Sequence, residues 1–204
     1  ALKARLRKEA EVVVSGRPDD FEVDGDALSR QRSRVDPEPT QGQIEAGNYR
    51  KGHVRVNGLD ISIENPKGSF RSGVGPDGVP WSIKMNHDYG YIKGTVGPDK
   101  DQVDVFLGPD LDSESVYVVH QEDERGDFDE TKVMLGFKNQ AAARVGYLSN
   151  YEEGWDRIKS VVPMTFDQFR VWLDVGNTKK EVEEPLVKAA APPLRQTRTL
   201  PGSR

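Results

Sequence analysis

Between residues 53 and 137 apolar side chains come in short runs separated by turn residues, and on both sides of Asn57-Gly58, at 53–56 and 59–63, they alternate with polar ones. Such alternation marks strands with one face buried. The runs 53–56 and 59–63 flank Asn57-Gly58, a pair that turns one strand directly back on the next. Further strands are predicted at 81–84, 89–92, 103–107, 116–120 and 132–137, and 73–80 reads as a glycine-rich loop. Gly-Pro-Asp stands at 75–77, 97–99 and 108–110, at unequal intervals, which is turn chemistry and not a repeat. The period then becomes helical. One helix is predicted at about 139–148 with Asn139 as its cap. A second, at about 165–173, has Thr165 and Gln168 spaced as a capping box and offers Phe166, Phe169, Val171, Trp172 and Leu173 for burial. This order predicts a mainly β, α+β fold, a small OB-like β-barrel of about five strands with helices packed outside.

The flanks follow a different pattern. Residues 1–14 fit a short amphipathic helix, and 15–52 contain scarcely an apolar pair, so 1–52 reads as a helix followed by an extended arm. From 177 onward the chain is again polar, Pro-rich and aperiodic, and 177–204 reads as a tail. Hydrophobic residues make up 35% of the 204, which agrees with a globular middle, 53–176, that carries polar extensions. Charge divides along the same lines. The first 52 residues balance 10 basic against 10 acidic, the middle holds 13 against 21, and the tail 6 against 3. An acidic middle argues against a single-strand nucleic-acid binder built on the same barrel, so no nucleic-acid partner is expected. No apolar run approaches the roughly 18 residues of a membrane span, and the N-terminus lacks an apolar signal core, so neither a membrane partner nor secretion is expected.

Composition also limits the chemistry. There is no cysteine, and His53, His87 and His120 lie too far apart for a paired-histidine metal motif. Any metal must therefore be held by oxygen. The densest oxygen cluster is Asp99, Asp101 and Asp104, three carboxylates within six residues on a turn entering a strand. In extended chain Asp99 and Asp101 face the same way, whereas Asp104 needs the turn to bring it round. Their mutual repulsion is relieved by a hard cation such as Mg²⁺ or Mn²⁺. An EF-hand does not fit, because its fifth and sixth positions fall on Val103 and Asp104. A second acidic stretch, 122–130, ends beside Lys132, and Glu64, Lys67, Arg71, Lys84, Tyr89 and Tyr91 precede the first. Taken singly, each acidic turn has an ordinary reading as a solvated loop. Together, carboxylates for metal, cations for anionic oxygens and a phenol as donor make up a set suited to phosphoryl transfer to water.

The run Tyr89-Gly90-Tyr91-Ile92, then Asp99-x-Asp101-x-x-Asp104-Val105, Gly108-Pro109 and a later acidic residue shortly before Lys132, resembles the soluble family I inorganic pyrophosphatases. More narrowly, 46–55, 64–68 and 132–137 look like the pyrophosphatase-like domain of phage polyvalent and structural proteins. The resemblance covers about 46–175. It implies Mg²⁺-dependent hydrolysis of pyrophosphate or a related phosphoanhydride, with Mn²⁺ as an alternative ion. Position by position, it makes Asp99 and Asp104 metal ligands and Asp101 the group that contacts the nucleophilic water and accepts its proton. Asp129 or Glu130 completes the metal set, with Asp123 and Glu64 as further metal residues, Glu64 matching the glutamate of the family's early Glu-x-Pro. Lys132, Tyr89 and Arg71 hold phosphate oxygens, and Lys84 stands in for an arginine. Some positions depart from the pattern: Lys100 and Gln102 replace the signature's glycine and proline, Met85 replaces a tyrosine, and a late Tyr-Lys pair has no counterpart. The resemblance also implies a place in the cytoplasm of an infected bacterium or in a virion. The alternative reading is a catalytically weak or inactive domain that serves as a structural component of a phage particle, its arms ordered on neighbouring subunits of a capsid or similar assembly.

Overall fold

Asn57 and Gly58 both take left-handed backbone angles, φ 46° and 80°, in the computed structural model, which describes residues 25–75, 78–97 and 100–182. Two positive φ values define the tight turn whose twist matches its strands. They join β1 (Gly52–Val56) to β2 (Leu59–Asn65), with Val54 opposite Ile61. The chain continues through β3 (Phe70–Val74), β4 (Pro80–Lys84), β5 (Asp88–Ile92), β6 (Asp104–Leu107), β7 (Ser115–Glu122), β8 (Phe128–Leu135) and β9 (Ile158–Thr165). Seven of these strands form one sheet in the order β1-β2-β5-β6-β8-β7-β9, and β3 and β4 pair apart as a ribbon. The α+β class is as expected. The barrel is not: among the described residues no ladder joins β9 to β1, and the sheet has seven strands rather than about five.

The reason lies in how the strands are buried. Along β6, β7 and β8, Val105, Leu107, Val116, Val118, Val133 and Leu135 enter one core. Their alternate neighbours Phe106, Tyr117, Val119 and Met134 enter a second core on the opposite face. A sheet covered on both faces carries near-continuous apolar runs and needs no closure to hide them. The first core is closed by α4 (Phe166–Val175) through Phe166, Phe169 and Trp172. The second is closed by α3 (Gln140–Leu148) through Ala143 and Tyr147. Both caps form as the sequence predicts. Asn139 accepts from the Ala142 amide at 2.8 Å, and Thr165 and Gln168 make the reciprocal box. All strands pair antiparallel except β6 with β8, whose parallel register sets Asp104 beside Lys132.

Residues 25–52 are not an extended arm. They form α1 (Gly25–Arg32) and α2 (Gln41–Ala46), and α1 packs Leu28 and Gln31 against the sheet. The hold is largely polar. Arg32 forks onto Asp88, with Nε 2.8 Å from Oδ1 and Nη2 2.6 Å from Oδ2, and the Lys67 amide donates to the same carboxylate at 2.9 Å. The Gln31 side chain accepts from the His53 amide at 3.0 Å. Gly52 is required beneath this helix, because a Cβ there would lie 2.6 Å from the Gln31 carbonyl oxygen. At the other end, residues 177–182 also fold back. The Val182 amide donates to His120 Nε2 at 3.0 Å, so the ring proton sits on Nδ1, which donates to Thr131 Oγ1. Burial holds the His120 pKa down at about 4. The expected helix over 1–14, the tail beyond 182 and Asp99 lie outside the described residues. No helix among the described residues is long and apolar enough to cross a membrane.

Candidate active site

The parallel β6–β8 ladder builds the centre of the site. Lys132 Nζ lies 2.5 Å from Asp104 Oδ2 and 2.9 Å from Glu130 Oε2. Glu130 precedes Lys132 by two positions on the same strand and therefore shares its face. The Lys132 side chain is 4% exposed, against 22% for Asp104 and 27% for Glu130, so the ammonium forms a floor beneath two rim carboxylates. From β5, the Tyr89 hydroxyl donates to Asp104 Oδ2 at 2.5 Å. The Arg71 guanidinium, reaching over from β3, lies 4.6 Å from the centre of the Tyr89 ring.

Burial alone weakens the Lys132 charge, yet the oxygens of Tyr89, Asp104, Tyr151 and Glu130 outweigh it and raise the pKa well above the ordinary lysine value. Arg71 is raised against its own burial by the same four groups. Burial pushes the Tyr89 phenol up, which keeps it a neutral donor to Asp104. Two cations, a phenol and two carboxylates thus converge on one opening, an arrangement that offers donors to anionic oxygens and acceptors to a cation side by side.

A second layer supports Glu130. Gln121 Nε2 donates to Glu130 Oε1 at 3.2 Å and to Asp129 Oδ2 at 2.9 Å, while Gln121 Oε1 accepts from the Tyr147 hydroxyl at 2.7 Å. The Tyr151 hydroxyl lies 3.0 Å from that of Tyr147. Glu64 stands on β2 in its own network. It accepts from Tyr49 at 3.1 Å and pairs with Lys51 at 2.9 Å, and Lys51 Nζ is 3.4 Å from the Tyr91 hydroxyl. Tyr91 pairs with Asp104 in the β5–β6 ladder, which links the two networks across neighbouring strands.

The expected residues divide accordingly. Asp104, Glu130, Lys132, Tyr89 and Arg71 come together, Asp129 joins through Gln121 at an exposed position, and Glu64 lies alongside on β2. Asp101 is exposed on the loop entering β6, where its carbonyl accepts from the Gly97 amide at 2.6 Å. Asp123 is occupied elsewhere. Its Oδ1 accepts from the amides of Arg125 and Asp127 at 2.8 and 3.0 Å, closing the β7–β8 turn. Lys84 is also misplaced as a substrate cation: it is exposed on the outer face of the ribbon, while its strand neighbour Ile83 faces inward opposite Arg71. Met85 is 1% exposed and belongs to the core beneath Tyr89.

Sequence reasoning assigned no role to Tyr49, Lys51, Gln121, Tyr147 or Tyr151, nor to Trp81 and Trp155. Tyr147 closes the predicted helix, whereas Tyr151 and Trp155 lie in the loop after it, where single aromatics carry no signal of a site. With Arg71, Trp81, Ile83, Asn150 and Glu152, Tyr151 and Trp155 line a cleft of about 200 Å³ beside the acidic centre.

The loop carrying Asp101 is strained. Lys100 adopts φ 76°, the left-handed conformation that suits glycine, at the position where the resembled signature has glycine. Lys100→Gly is expected to stabilise the domain by about 1 kcal/mol, read as a higher urea midpoint. A lower midpoint would mean that the lysine side chain holds the loop.

Among the described residues no three His, Asp or Glu side chains converge as a metal cage. The donors present still suit Mg²⁺, which usually takes only one or two carboxylates and completes its shell with water and substrate phosphate. Asp104 and Glu130, both partly exposed oxygen donors on the rim, fit that mode.

Comparison with curated proteins and with solved structures returned no match. The family model for inorganic pyrophosphatase matches residues 41–174, a span that runs from α2 into α4 and includes every described residue of the site. With two thirds of its length matched, the chain belongs to the inorganic pyrophosphatase family.

Proposed function

We propose that the protein hydrolyses inorganic pyrophosphate, or a related phosphoanhydride, with Mg²⁺ or Mn²⁺ as the cofactor. The observation that carries this reading is the buried Lys132 ammonium held between Asp104 and Glu130, with Arg71 and Tyr89 at the same opening. Lys132 and Arg71 bind phosphate oxygens, and the Tyr89 hydroxyl positions Asp104. Asp104 and Glu130 hold the cation, assisted by Asp99 and Asp129. When bound, the cation neutralises phosphate charge and lowers the pKa of water. Asp101, on the loop beside Asp104, takes the proton from the attacking water at its carboxylate. Glu64 keeps Lys51 in place against Tyr91 and so supports the neighbouring strand.

The packing of α1 on the chain's own sheet supports a fold that does not need neighbouring subunits to order residues 25–32. The test is phosphate release from pyrophosphate with Mg²⁺ by the wild type and by Asp101→Asn. The variant should lose at least about 100-fold in turnover while pyrophosphate binding, measured by calorimetry, is retained. Undiminished turnover in Asp101→Asn would remove the proton acceptor from this account.

A further inference from the structure

The cleft beside the acidic centre is built for something that bare pyrophosphate lacks. One wall is Trp81, from the ribbon. The other is Tyr151 and Trp155, whose rings stack at 3.9 Å with 9° between their planes. All three aromatics are only partly buried; Tyr151 and Trp155 cover one face of each other and present the outer side of one stacked pair, and Trp81 lies over Gly73 on its β3 side. An inorganic anion makes no use of an aromatic-walled cleft, whereas a flat heteroaromatic ring packs against such walls.

The position of Arg71 connects this cleft to the phosphate site. Its guanidinium lies 5.6 Å from the Trp81 ring centre on one side and 4.6 Å from that of Tyr89 on the other. We infer that the cleft receives a nucleobase, so that the substrate class is a nucleoside diphosphate or triphosphate, with its phosphates on Arg71 and Lys132 and its base between Trp81 and the Tyr151–Trp155 pair. The inference rests on the proposed hydrolase reading and narrows its substrate.

Three details of the walls agree. At about 200 Å³ the space is below that of a drug-sized ligand and suits a single ring system. Gly73 faces Trp81 across the ribbon, and a Cβ there would stand 2.7 Å from the indole, so the missing side chain lets the ring lie over β3. Asn150 is fully engaged and fixes the far wall: Oδ1 accepts from the amides of Asn86 and His87, and Nδ2 donates to the Gly146 carbonyl. That leaves Glu152, exposed on the rim, as the acceptor for a ring or exocyclic N–H of the base. With a nucleoside diphosphate, water oxygen bonds to the terminal phosphorus as the bridging P–O bond breaks. Asp101 takes the water's proton, and orthophosphate and the nucleoside monophosphate, which keeps the bridging oxygen, depart.

The test compares two non-hydrolysable probes on the full chain with Mg²⁺, α,β-methylene-ADP and methylenediphosphonate, the second lacking only the nucleoside. Trp81 and Trp155 line the cleft and Trp172 lies in the core on the other face of the sheet, so tryptophan fluorescence reports occupancy. α,β-Methylene-ADP should bind about tenfold tighter than methylenediphosphonate and quench emission, and in Trp81→Ala the ratio should fall towards one. Equal affinity for the two probes in the wild type overturns the inference without recourse to any variant. A ratio unchanged in a folded Trp81→Ala overturns it as well. If pyrophosphate is hydrolysed but the probes bind equally, the nucleotide inference falls and the hydrolase reading stands. Tenfold preference for the nucleotide probe with no phosphate release from pyrophosphate or ADP supports the base site and removes the hydrolase reading.

Discussion

Replacing Lys132 with alanine is expected to lower phosphate release by about 100-fold or more and to destabilise the domain by about 3 kcal/mol. Both effects come from one ammonium. In the native site it bridges Asp104 and Glu130 at 2.5 and 2.9 Å, offsetting part of their combined charge, and the Tyr89 hydroxyl donates to the same Asp104 oxygen. Without it two carboxylates face each other over an apolar core that includes Phe106 and Met134. The figure sits at the low end for breaking a buried pair, because both carboxylates keep some access to water. Lys132→Met restores the packed stem but no charge, so it should recover part of the stability and none of the turnover. The sign of the pH dependence follows from the raised lysine pKa. The stabilisation is fully present below the unfolded value near 10.4 and is lost as pH rises through the higher folded value. Urea unfolding and phosphate release, measured on the same samples, check both parts. A stability change under 1 kcal/mol with full turnover would contradict the placement of the ammonium.

The second large effect is at a distance from the chemistry. Arg32→Ala is expected to cost about 3 kcal/mol, because among the described residues it leaves the Asp88 carboxylate, 1% exposed, with the Lys67 amide alone as a donor. Asp88→Asn in the Arg32→Ala background should recover part of that loss, since a neutral amide carries no uncompensated charge into the interior. Arg32→Lys should rescue poorly, because a single ammonium cannot reproduce the forked contact. Asp88 directly precedes Tyr89 on β5, so the same anchor fixes the start of a strand that supplies the site. The urea midpoints of the three variants test this. A loss below 1 kcal/mol in Arg32→Ala would mean that α1 is held by something other than this ion pair.

What was legible in the sequence was local. The Asn57-Gly58 turn and the caps at Asn139 and Thr165 are each written in a few adjacent residues, and they form as expected. α1 was not legible, because it is held by Arg32, Gln31 and a distant Asp88 rather than by an apolar stripe. β9 was hidden by Pro163, which is tolerated because the strand lies at the sheet edge. A closed barrel is not seen among the described residues, since the continuous apolar runs of β7 and β8 belong to strands covered on both faces, a distinction the list of strand candidates did not draw. At the site, the order of motifs pointed to Asp104 and Lys132, although their contact depends on a parallel pairing between strands separated in sequence by β7. Lys84 and Asp123 lie apart from the cluster for one reason: residue type and spacing do not say which face of a ribbon a side chain takes or whether a turn engages a carboxylate. The aromatic cleft was out of reach for a similar reason, since its two walls come from distant parts of the chain.

The central claim is that Asp104, Lys132 and Glu130 form a centre for pyrophosphate hydrolysis. It is tested most directly by phosphate release from pyrophosphate by the full chain with millimolar Mg²⁺, beside Asp104→Asn purified identically. The account predicts turnover that EDTA abolishes and that falls by about 100-fold or more in Asp104→Asn, with the variant still folded. Equal phosphate release by the two proteins, or none from the wild type with Mg²⁺ or Mn²⁺, would contradict it.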